Sequence, residues 1–305
     1  MTTPVLIDCD PGHDDAIALL LALASPEFEI LGVTTVAGNQ TLQKTTANAL
    51  RILEFAGRTE IDVAAGADRP LIRDPFVAAY VHGETGLDGP DLPPAQGSPV
   101  DRHAVDFLAD RIRERNGEVT LVPTGPLTNV ALMLALHPDA QPARIVLMGG
   151  AVAEGNVTPA AEFNIWWDPE AAARVFASGI DLTMVGLDVT HKALFTHAHV
   201  GRLTGRVGKM VTELLRFYDR FHSEVYGFDG SPIHDAVAVA QALRSDLVET
   251  RFRNVEIDVE SELCRGRTVV DLWRRTEREP NAHVGVDIDA DGFLELLVER
   301  INSLQ

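Results

Sequence analysis

The stretch LIDCDPGHDDAIAL, residues 6–19, decides the fold, because an apolar run stops at a cluster of acids and an apolar helical pattern follows. The residues before the turn predict a buried strand, and those after it predict a helix. No Lys or Arg precedes Lys44 in the chain. Four aspartates fall within eight positions: Asp8, Asp10, Asp14 and Asp15.

The same alternation of apolar runs and helical patterns continues to about residue 190. PVLID (4–8), EVTLVPTG (118–125) and ARIVLMGG (143–150) predict buried strands, and amphipathic segments such as DRHAVDFLADRIRERNG (101–117) predict helices between them. The pattern predicts an α/β fold of the Rossmann-like, doubly wound class, with a mostly parallel sheet and helices on both faces. Because no linker-like segment and no internal repeat interrupts it, we predict a single domain over residues 1–305.

The C-terminal third is less regular. The segments ETRFRNVEIDVE (249–260) and CRGRTVVDLW (264–273) predict a hairpin. DIDADGFLELLVER (287–300) begins like a calcium-binding EF-hand loop, but its twelfth position is Val298 where that loop requires Glu. The segment therefore predicts a strand, a turn and a final helix.

Four other stretches lead to local predictions. IDLTMVGLDVT (180–190) predicts a strand, and residues 68–99 and FHSEVYGFDGSP (221–232) predict long loops of the kind that often bind ligands. His197 and His199 lie in the sequence HAH and predict a solvated helix start, since a zinc site requires further ligands nearby.

Composition limits the functions that the chain can have. The 305 residues are 46% hydrophobic and carry a formal net charge of −19, with a mean hydropathy of +0.03. Such an acidic protein suits neither nucleic acids nor anionic membranes as partners. With no signal-like N-terminus and with Ala16–Ala24 too short to cross a bilayer, we predict a cytoplasmic protein. Cys9 and Cys264 are then expected to be reduced, with Cys9 in a packing role.

The acidic cluster calls for a cation. Asp8 and Asp10 follow the first strand, at the sheet edge where doubly wound proteins bind ligands. The dipole of the next helix accounts for one or two of the acids but leaves Asp10 beside Asp14 and Asp15 without compensation. Repulsion between such partly desolvated carboxylates requires a proton or a metal ion. Hard oxygen ligands without a Cys or His cluster favour Ca²⁺ or Mg²⁺.

Further side chains, all of them polar except Met148, fall at or just after the predicted strand ends. Because parallel strands end at one edge of a sheet, we expect them on the rim that holds the aspartates. They are Asn39, Thr124, Met148, Asn156, Glu162, Asn164, His234 and Asp235.

The ordered motifs identify a family resemblance. DCDPGHDDAIAL resembles the N-terminal signature of the nucleoside hydrolases, the inosine–uridine preferring ribohydrolases. TTVAGN, HGETGLDG, PTGPLTN, MGG, GNVTPAAEFN and HDAVAVA follow in the order expected, from residue 5 to about 240. The resemblance implies hydrolysis of the N-glycosidic bond of ribonucleosides and a homo-oligomer, either a dimer or a tetramer.

The resemblance also implies roles for individual residues. Ca²⁺ would be bound by Asp10, Asp15, Asp235 and the backbone carbonyl of Thr124. Asp10 would act as the general base, and His234 would assist departure of the base. The ribose would contact Asp14, Asn39, Asn156, Glu162 and Asn164, with Met148 packed beside it. His82, His222 and Tyr226 would lie near the base, whose identity the sequence leaves open between purine and pyrimidine.

Two alternatives belong to other classes. A Mg²⁺-dependent haloacid-dehalogenase-like phosphatase also places an Asp-x-Asp motif after its first strand, but the region before Lys44 has no cation for a phosphate. A non-catalytic nucleoside-binding protein could use the same scaffold. Release of phosphate, release of free base, or binding without turnover distinguishes the three.

Overall fold

An eight-stranded sheet forms the centre of the protein in the computed structural model, which describes residues 2–304. The strands are β1 (Thr3–Cys9), β2 (Phe28–Thr35), β3 (Val63–Ala65), β4 (Thr120–Pro123), β5 (Arg144–Met148), β6 (Asp181–Val185), β7 (Leu194–Phe195), β8 (Ser231–Pro232), β9 (Val248–Arg253), β10 (Val255–Ile257), β11 (Thr268–Val270) and β12 (Ala282–Ile288). The helices are α1 (His13–Leu23), α2 (Leu42–Phe55), α3 (Ala79–His82), α4 (Ala104–Glu114), α5 (Thr128–Leu136), α6 (Phe163–Trp167), α7 (Pro169–Phe176), α8 (Leu187–Thr190), α9 (His197–Val200), α10 (Gly205–Tyr226), α11 (His234–Leu243) and α12 (Ala290–Ser303).

The strand order is β3-β2-β1-β4-β5-β6-β12-β9, and every neighbouring pair is parallel except β12 with β9. The order reverses at β1, whose two neighbours are β2 and β4. In doubly wound sheets, the carboxyl ends of the strands at such a reversal form the ligand crevice. The predicted fold class is confirmed, and the acidic stretch lies at this crevice.

Alternation along β1 explains why helices cover both faces. Val5, Ile7 and Cys9 pack into one apolar cluster with α1, α2, α10, α11 and α12, whereas Leu6 packs into a second cluster with α4, α5 and α7. Successive strand residues point to opposite faces, so one continuous apolar strand supplies both layers. The Cys9 thiol is free and buried, in agreement with its predicted packing role.

The C-terminal third confirms two local predictions. β10 and β11 form the antiparallel hairpin, with Val255 opposite Val270. The EF-hand-like segment forms the end of β12, a turn and α12, and the Asp289 side chain accepts a hydrogen bond from the Gly292 amide at the start of that helix. Earlier in the same region, β9 joins the main sheet through β12.

Two predicted boundaries are wrong. Half of the predicted loop at 221–232 is helical, because α10 continues to Tyr226 before Gly227, whose φ of 68° is left-handed, ends it. The predicted strand at 180–190 ends at Val185, and α8 follows at once. α9 does begin at His197, as predicted. Within residues 2–304, no helix is both long and apolar enough to cross a membrane.

Candidate active site

Four buried aspartates surround the junction between β1 and α1. Asp8 is the penultimate residue of β1, Asp10 follows the strand, and Asp14 and Asp15 occupy the first turn of α1. None of the four side chains is more than 5% exposed. The first turn of a helix favours carboxylates, which explains the placement of two of them but not the burial of all four.

Helix α11 adds a fifth carboxylate to this junction. It packs against α1 and brings Asp235, in its own first turn, so that oxygen atoms of Asp14, Asp15 and Asp235 all lie within 4.8 Å of one another. We call these three residues the carboxylate cluster. Asp10 is not among the three, but its Oδ1 atom is buried and has no hydrogen-bond partner among the described residues.

Neutral donors partly satisfy these carboxylates. The Thr124 hydroxyl donates to Asp15 Oδ1 over 2.9 Å, and the Asn39 side-chain amide donates to Asp15 Oδ2 over 3.1 Å. The Asn39 backbone amide donates to Asp10 Oδ2 over 2.7 Å. Lys and Arg donors are absent from the hydrogen bonds described for these acids. The negative charge is therefore uncompensated by the protein.

Burial and mutual repulsion favour the protonated forms. Burial, followed by the charge of Asp15, raises the pKa of Asp10 well above its usual range. The same two causes raise the pKa of Asp14 to about 7, and burial with the charges of Asp14 and Asp15 raises that of Asp235. A divalent cation would oppose these shifts, because its charge stabilises the ionised carboxylates. The all-oxygen donors and the unpaired Asp10 Oδ1 fit a hard cation such as Ca²⁺.

The backbone carbonyl of Thr124 is also relevant to metal binding. Its carbonyl oxygen accepts a hydrogen bond of 2.7 Å from Asn164 Nδ2, which leaves one lone pair available. The residue therefore contacts Asp15 through its hydroxyl and Asn164 through its carbonyl. It links the carboxylate cluster to the other polar residues of the site.

A cavity opens beside the cluster, and Asp14 and Asp235 of the cluster line it. Asp10 and Asp15 do not line it. All the other site residues that the sequence predicted do: Asp14, Asn39, His82, Thr124, Met148, Asn156, Glu162, Asn164, His222, Tyr226, His234 and Asp235. The structure therefore brings the predicted residues to one place.

Glu162 and Asn164 are held rigidly at the start of α6. Glu162 accepts hydrogen bonds from the backbone amides of Asn164, Ile165 and Gly150. Burial nevertheless raises its pKa to about 7. The Asn164 amide also donates to the carbonyl of Met148, at the end of β5. These contacts fix the two side chains in the wall of the cavity.

Histidine and aromatic rings form another part of the wall. Burial and neighbouring imidazoles lower the pKa of His234 well below its usual range, and burial lowers that of His222 to about 4. Both rings are therefore neutral at pH 7. Thr190 Oγ1 lies 2.7 Å from His234 Nδ1. The structure adds lining residues that the sequence reasoning missed: Tyr80, His191, Tyr218 and Phe221.

Tyr218 was not predicted as a site residue, although its spacing from His222 in the sequence could have identified it. It lies four residues before His222, on the buried face of α10, and the two rings are 4.3 Å apart between centroids. A helix predicted through Tyr226 would have placed both side chains on one face. The loop assigned to residues 221–232 hid this relationship.

His82, the last residue of the short helix α3, contacts the start of α1 although the two are far apart in the sequence. Its Nδ1 atom lies 3.3 Å from the His13 backbone nitrogen and 3.3 Å from His13 Nδ1. His13 Nε2 in turn lies 2.8 Å from the carbonyl oxygen of Asp88. Gly12 permits this approach, since a Cβ atom there would lie 2.5 Å from His82 Nδ1.

Comparison with known proteins agrees with the geometry. The profile of the inosine-uridine preferring nucleoside hydrolases matches residues 5–295. The chain is 50% identical to proteins named pyrimidine-specific ribonucleoside hydrolase RihA from Klebsiella pneumoniae and Salmonella typhimurium, over 99% of this chain and 99% of each relative. A solved purine-preferring ribonucleoside hydrolase from Gardnerella vaginalis is 35% identical, with a TM-score of 0.93 over 99% of this chain and 98% of that one.

These matches confirm the resemblance inferred from the motifs and remove the phosphatase and the non-catalytic binding protein as alternatives. The family is metal-dependent, in agreement with the carboxylate cluster. The chain belongs to the inosine-uridine preferring nucleoside hydrolase family, and it is a nucleoside N-ribohydrolase that cleaves the N-glycosidic bond of ribonucleosides.

Proposed function

We propose that the protein is a Ca²⁺-dependent hydrolase of pyrimidine ribonucleosides, which releases ribose and the free base. The observation that carries the proposal is the buried carboxylate cluster beneath a cavity lined by neutral imidazoles. The carboxylates suit a cation and a sugar that becomes positively charged. The imidazoles suit the polar edge of a nucleobase.

Asp10, Asp15, Asp235 and the Thr124 carbonyl would hold the calcium ion, with Asp14 close by. The support is the hard-oxygen donor set and the unpaired, buried Asp10 Oδ1. Calcium bound there would supply Lewis acidity toward a water molecule and the ribose hydroxyl groups.

Asp10 is proposed to take the proton of the attacking water. The Asn39 backbone amide donates a hydrogen bond of 2.7 Å to Asp10 Oδ2, which holds the carboxylate in position for the transfer. The water adds to the anomeric carbon as the bond to the base breaks. The remaining carboxylates stabilise the positive charge that develops on the sugar ring.

The sugar is proposed to contact the polar residues of the cavity. Asn39, Asn156, Glu162, Asn164 and Asp14 offer amide donors and carboxylate acceptors to its hydroxyl groups, and Met148 packs beside it. The hydrogen bonds that hold Glu162 and Asn164 support this assignment, because preorganised groups lose little entropy on binding.

His234 is proposed to stabilise the departing base. Since its pKa is low, the ring is neutral and holds one proton, which the Thr190 hydroxyl can direct to Nε2 by donating to Nδ1. The Nε2–H group would donate a hydrogen bond to the leaving base as negative charge develops on it. His82, His222 and Tyr226 would contact other atoms of the base.

The preference for pyrimidines rests on the relatives, since proteins 50% identical are named pyrimidine-specific and the purine-preferring structure is 35% identical. Initial rates of base release from uridine, cytidine, inosine and adenosine test it. We expect kcat/KM for uridine or cytidine to exceed that for either purine nucleoside at least tenfold. A preference for inosine or adenosine would contradict the proposed specificity.

The single-domain organisation, the cytoplasmic location and the dimeric or tetrameric state predicted from the sequence stay predictions. Sedimentation equilibrium of the purified protein tests the oligomeric state. A monomer at micromolar concentration would contradict it.

A further inference from the structure

His82 Nδ1 lies within hydrogen-bonding distance of two groups of His13, one of which is a donor and the other an acceptor. The backbone N–H of His13 can only donate. The His13 ring has its Nε2 against the carbonyl oxygen of Asp88, which can only accept, so Nε2 carries the proton of the neutral ring and Nδ1 is an acceptor. His82 Nδ1 therefore lies 3.3 Å from a fixed donor and 3.3 Å from a fixed acceptor.

Each tautomer of His82 satisfies one of these neighbours. With the proton on Nε2, the Nδ1 lone pair accepts from the His13 amide but faces the lone pair of His13 Nδ1. With the proton on Nδ1, the ring donates to His13 Nδ1 but leaves the amide without that acceptor. Each form gains one N–H···N bond and loses the other, so neither is strongly preferred.

The ring nitrogen that changes character is His82 Nε2. His82 lines the cavity, and no hydrogen bond to Nε2 occurs within the part of the chain that the structure describes. A neutral imidazole carries one proton, so each of the two rings has one proton to place. His82 Nε2 is then a donor in one tautomer and an acceptor in the other.

We infer that His13 is a positioning residue that determines specificity: it lets His82 present either a donor or an acceptor to the nucleobase, so that one cavity accepts both uridine and cytidine. The inference rests on the proposed function. The pairing edge of uracil carries an N–H between carbonyl oxygens, whereas that of cytosine carries a ring acceptor beside an amino donor. A histidine fixed in one tautomer could match only one of the two edges at a given position.

Two substitutions of His13 separate the roles of its ring nitrogens. In His13→Gln, the amide nitrogen lies as many bonds from Cβ as Nε2 does, so the bond to Asp88 is retained and the acceptor facing His82 is lost. In His13→Asn, an amide group replaces Nδ1 and the bond to Asp88 is lost. We expect His13→Gln to change the ratio of kcat/KM for uridine and cytidine at least tenfold, with the better substrate within about threefold of wild type.

His13→Asn should leave that ratio within about threefold. Asn48→Ala provides a control for anchoring, because Asn48 donates to the carbonyls of Thr85 and Pro11 and makes no described hydrogen bond to His82. It should lower both rates together. An unchanged ratio in His13→Gln, or the same change of ratio in Asn48→Ala, would overturn the inference, since either result makes His13 only an anchor for the loop.

Nitrogen-15 spectra of the His82 ring provide a readout that does not depend on activity. The wild-type protein should show both the Nδ1–H and the Nε2–H tautomer, and His13→Gln should show only Nε2–H. A single tautomer in the wild-type protein would overturn the inference even if no variant folds. If the wild-type enzyme cleaves neither uridine nor cytidine, the proposed function fails, and the spectra still decide the tautomers.

Discussion

Asp14 and Asp235 begin two different helices, α1 and α11, and yet their carboxylate oxygens lie within 4.8 Å of each other. Both helices are almost wholly buried and pack against one another. The two charges therefore cannot separate without disturbing the core. Repulsion between these carboxylates therefore persists in the folded protein, and a bound cation would relieve it.

Chelation should consequently destabilise the protein. Removing the cation leaves buried carboxylates that either repel or take up protons. We expect the Tm at pH 8 to fall by several degrees after exhaustive chelation and to recover when Ca²⁺ is added. An unchanged Tm in a sample shown to be metal-free would contradict a metal at the cluster.

The pH dependence of stability should differ with and without metal. The pKa of Asp14 rises from 3.8 to about 7 in the folded protein, and that of Glu162 rises from 4.5 to about 7. The folded state therefore keeps protons that the unfolded chain has released, and stability falls as pH rises from about 4 to about 7. Thermal melts of the chelated protein between pH 5 and 8 should show the fall, and added Ca²⁺ should reduce it. A flat profile without metal would count against the raised pKa values.

Asp10→Asn should reduce kcat on uridine by about 10²–10⁴-fold through loss of the general base, and further if metal binding is disturbed. Asp8→Asn is the matched control. Asp8 is buried near the end of β1, and its Oδ1 accepts hydrogen bonds from Thr34 and Asn129, neither of which is assigned to the site. The control should keep kcat within about threefold. Equal losses in the two variants would remove Asp10 from its assigned role.

His234→Ala should harm substrates according to how poorly their base leaves. On uridine we expect kcat/KM to fall about 10²–10⁴-fold, because the hydrogen bond to the departing base is lost. On p-nitrophenyl riboside, whose leaving group is a stable phenolate, the fall should be much smaller. Equal falls on both substrates would indicate that His234 only supports the fold.

The sequence was sufficient for the sheet and for most of the site because both depend on local signals. Buried parallel strands are continuous apolar runs, and their carboxyl ends share one edge, so Asn39, Thr124 and Met148 could be assigned to the same rim as the aspartates. Their positions in the cavity agree with that reasoning. The roles assigned to them come from the family resemblance and are still to be tested.

The sequence could not predict the contacts that depend on how distant segments pack against each other. His13 and His82 are 69 residues apart, and only the folded loop brings their rings together. The pairing of β9 with β12 likewise joins strands separated by the β10–β11 hairpin. The extent of α10 was missed because the segment after Phe221 contains polar residues and glycines typical of loops, whereas the buried side chains of the preceding turns continue the helix.

The most direct test of Ca²⁺-dependent pyrimidine nucleoside hydrolysis is a calcium titration of the metal-free enzyme with uridine, following release of uracil and of reducing sugar. The metal-free sample should be inactive, and activity should return saturably with Ca²⁺, with one uracil released per ribose. Full turnover of uridine by a verified metal-free sample, or no turnover at saturating Ca²⁺, would contradict the account.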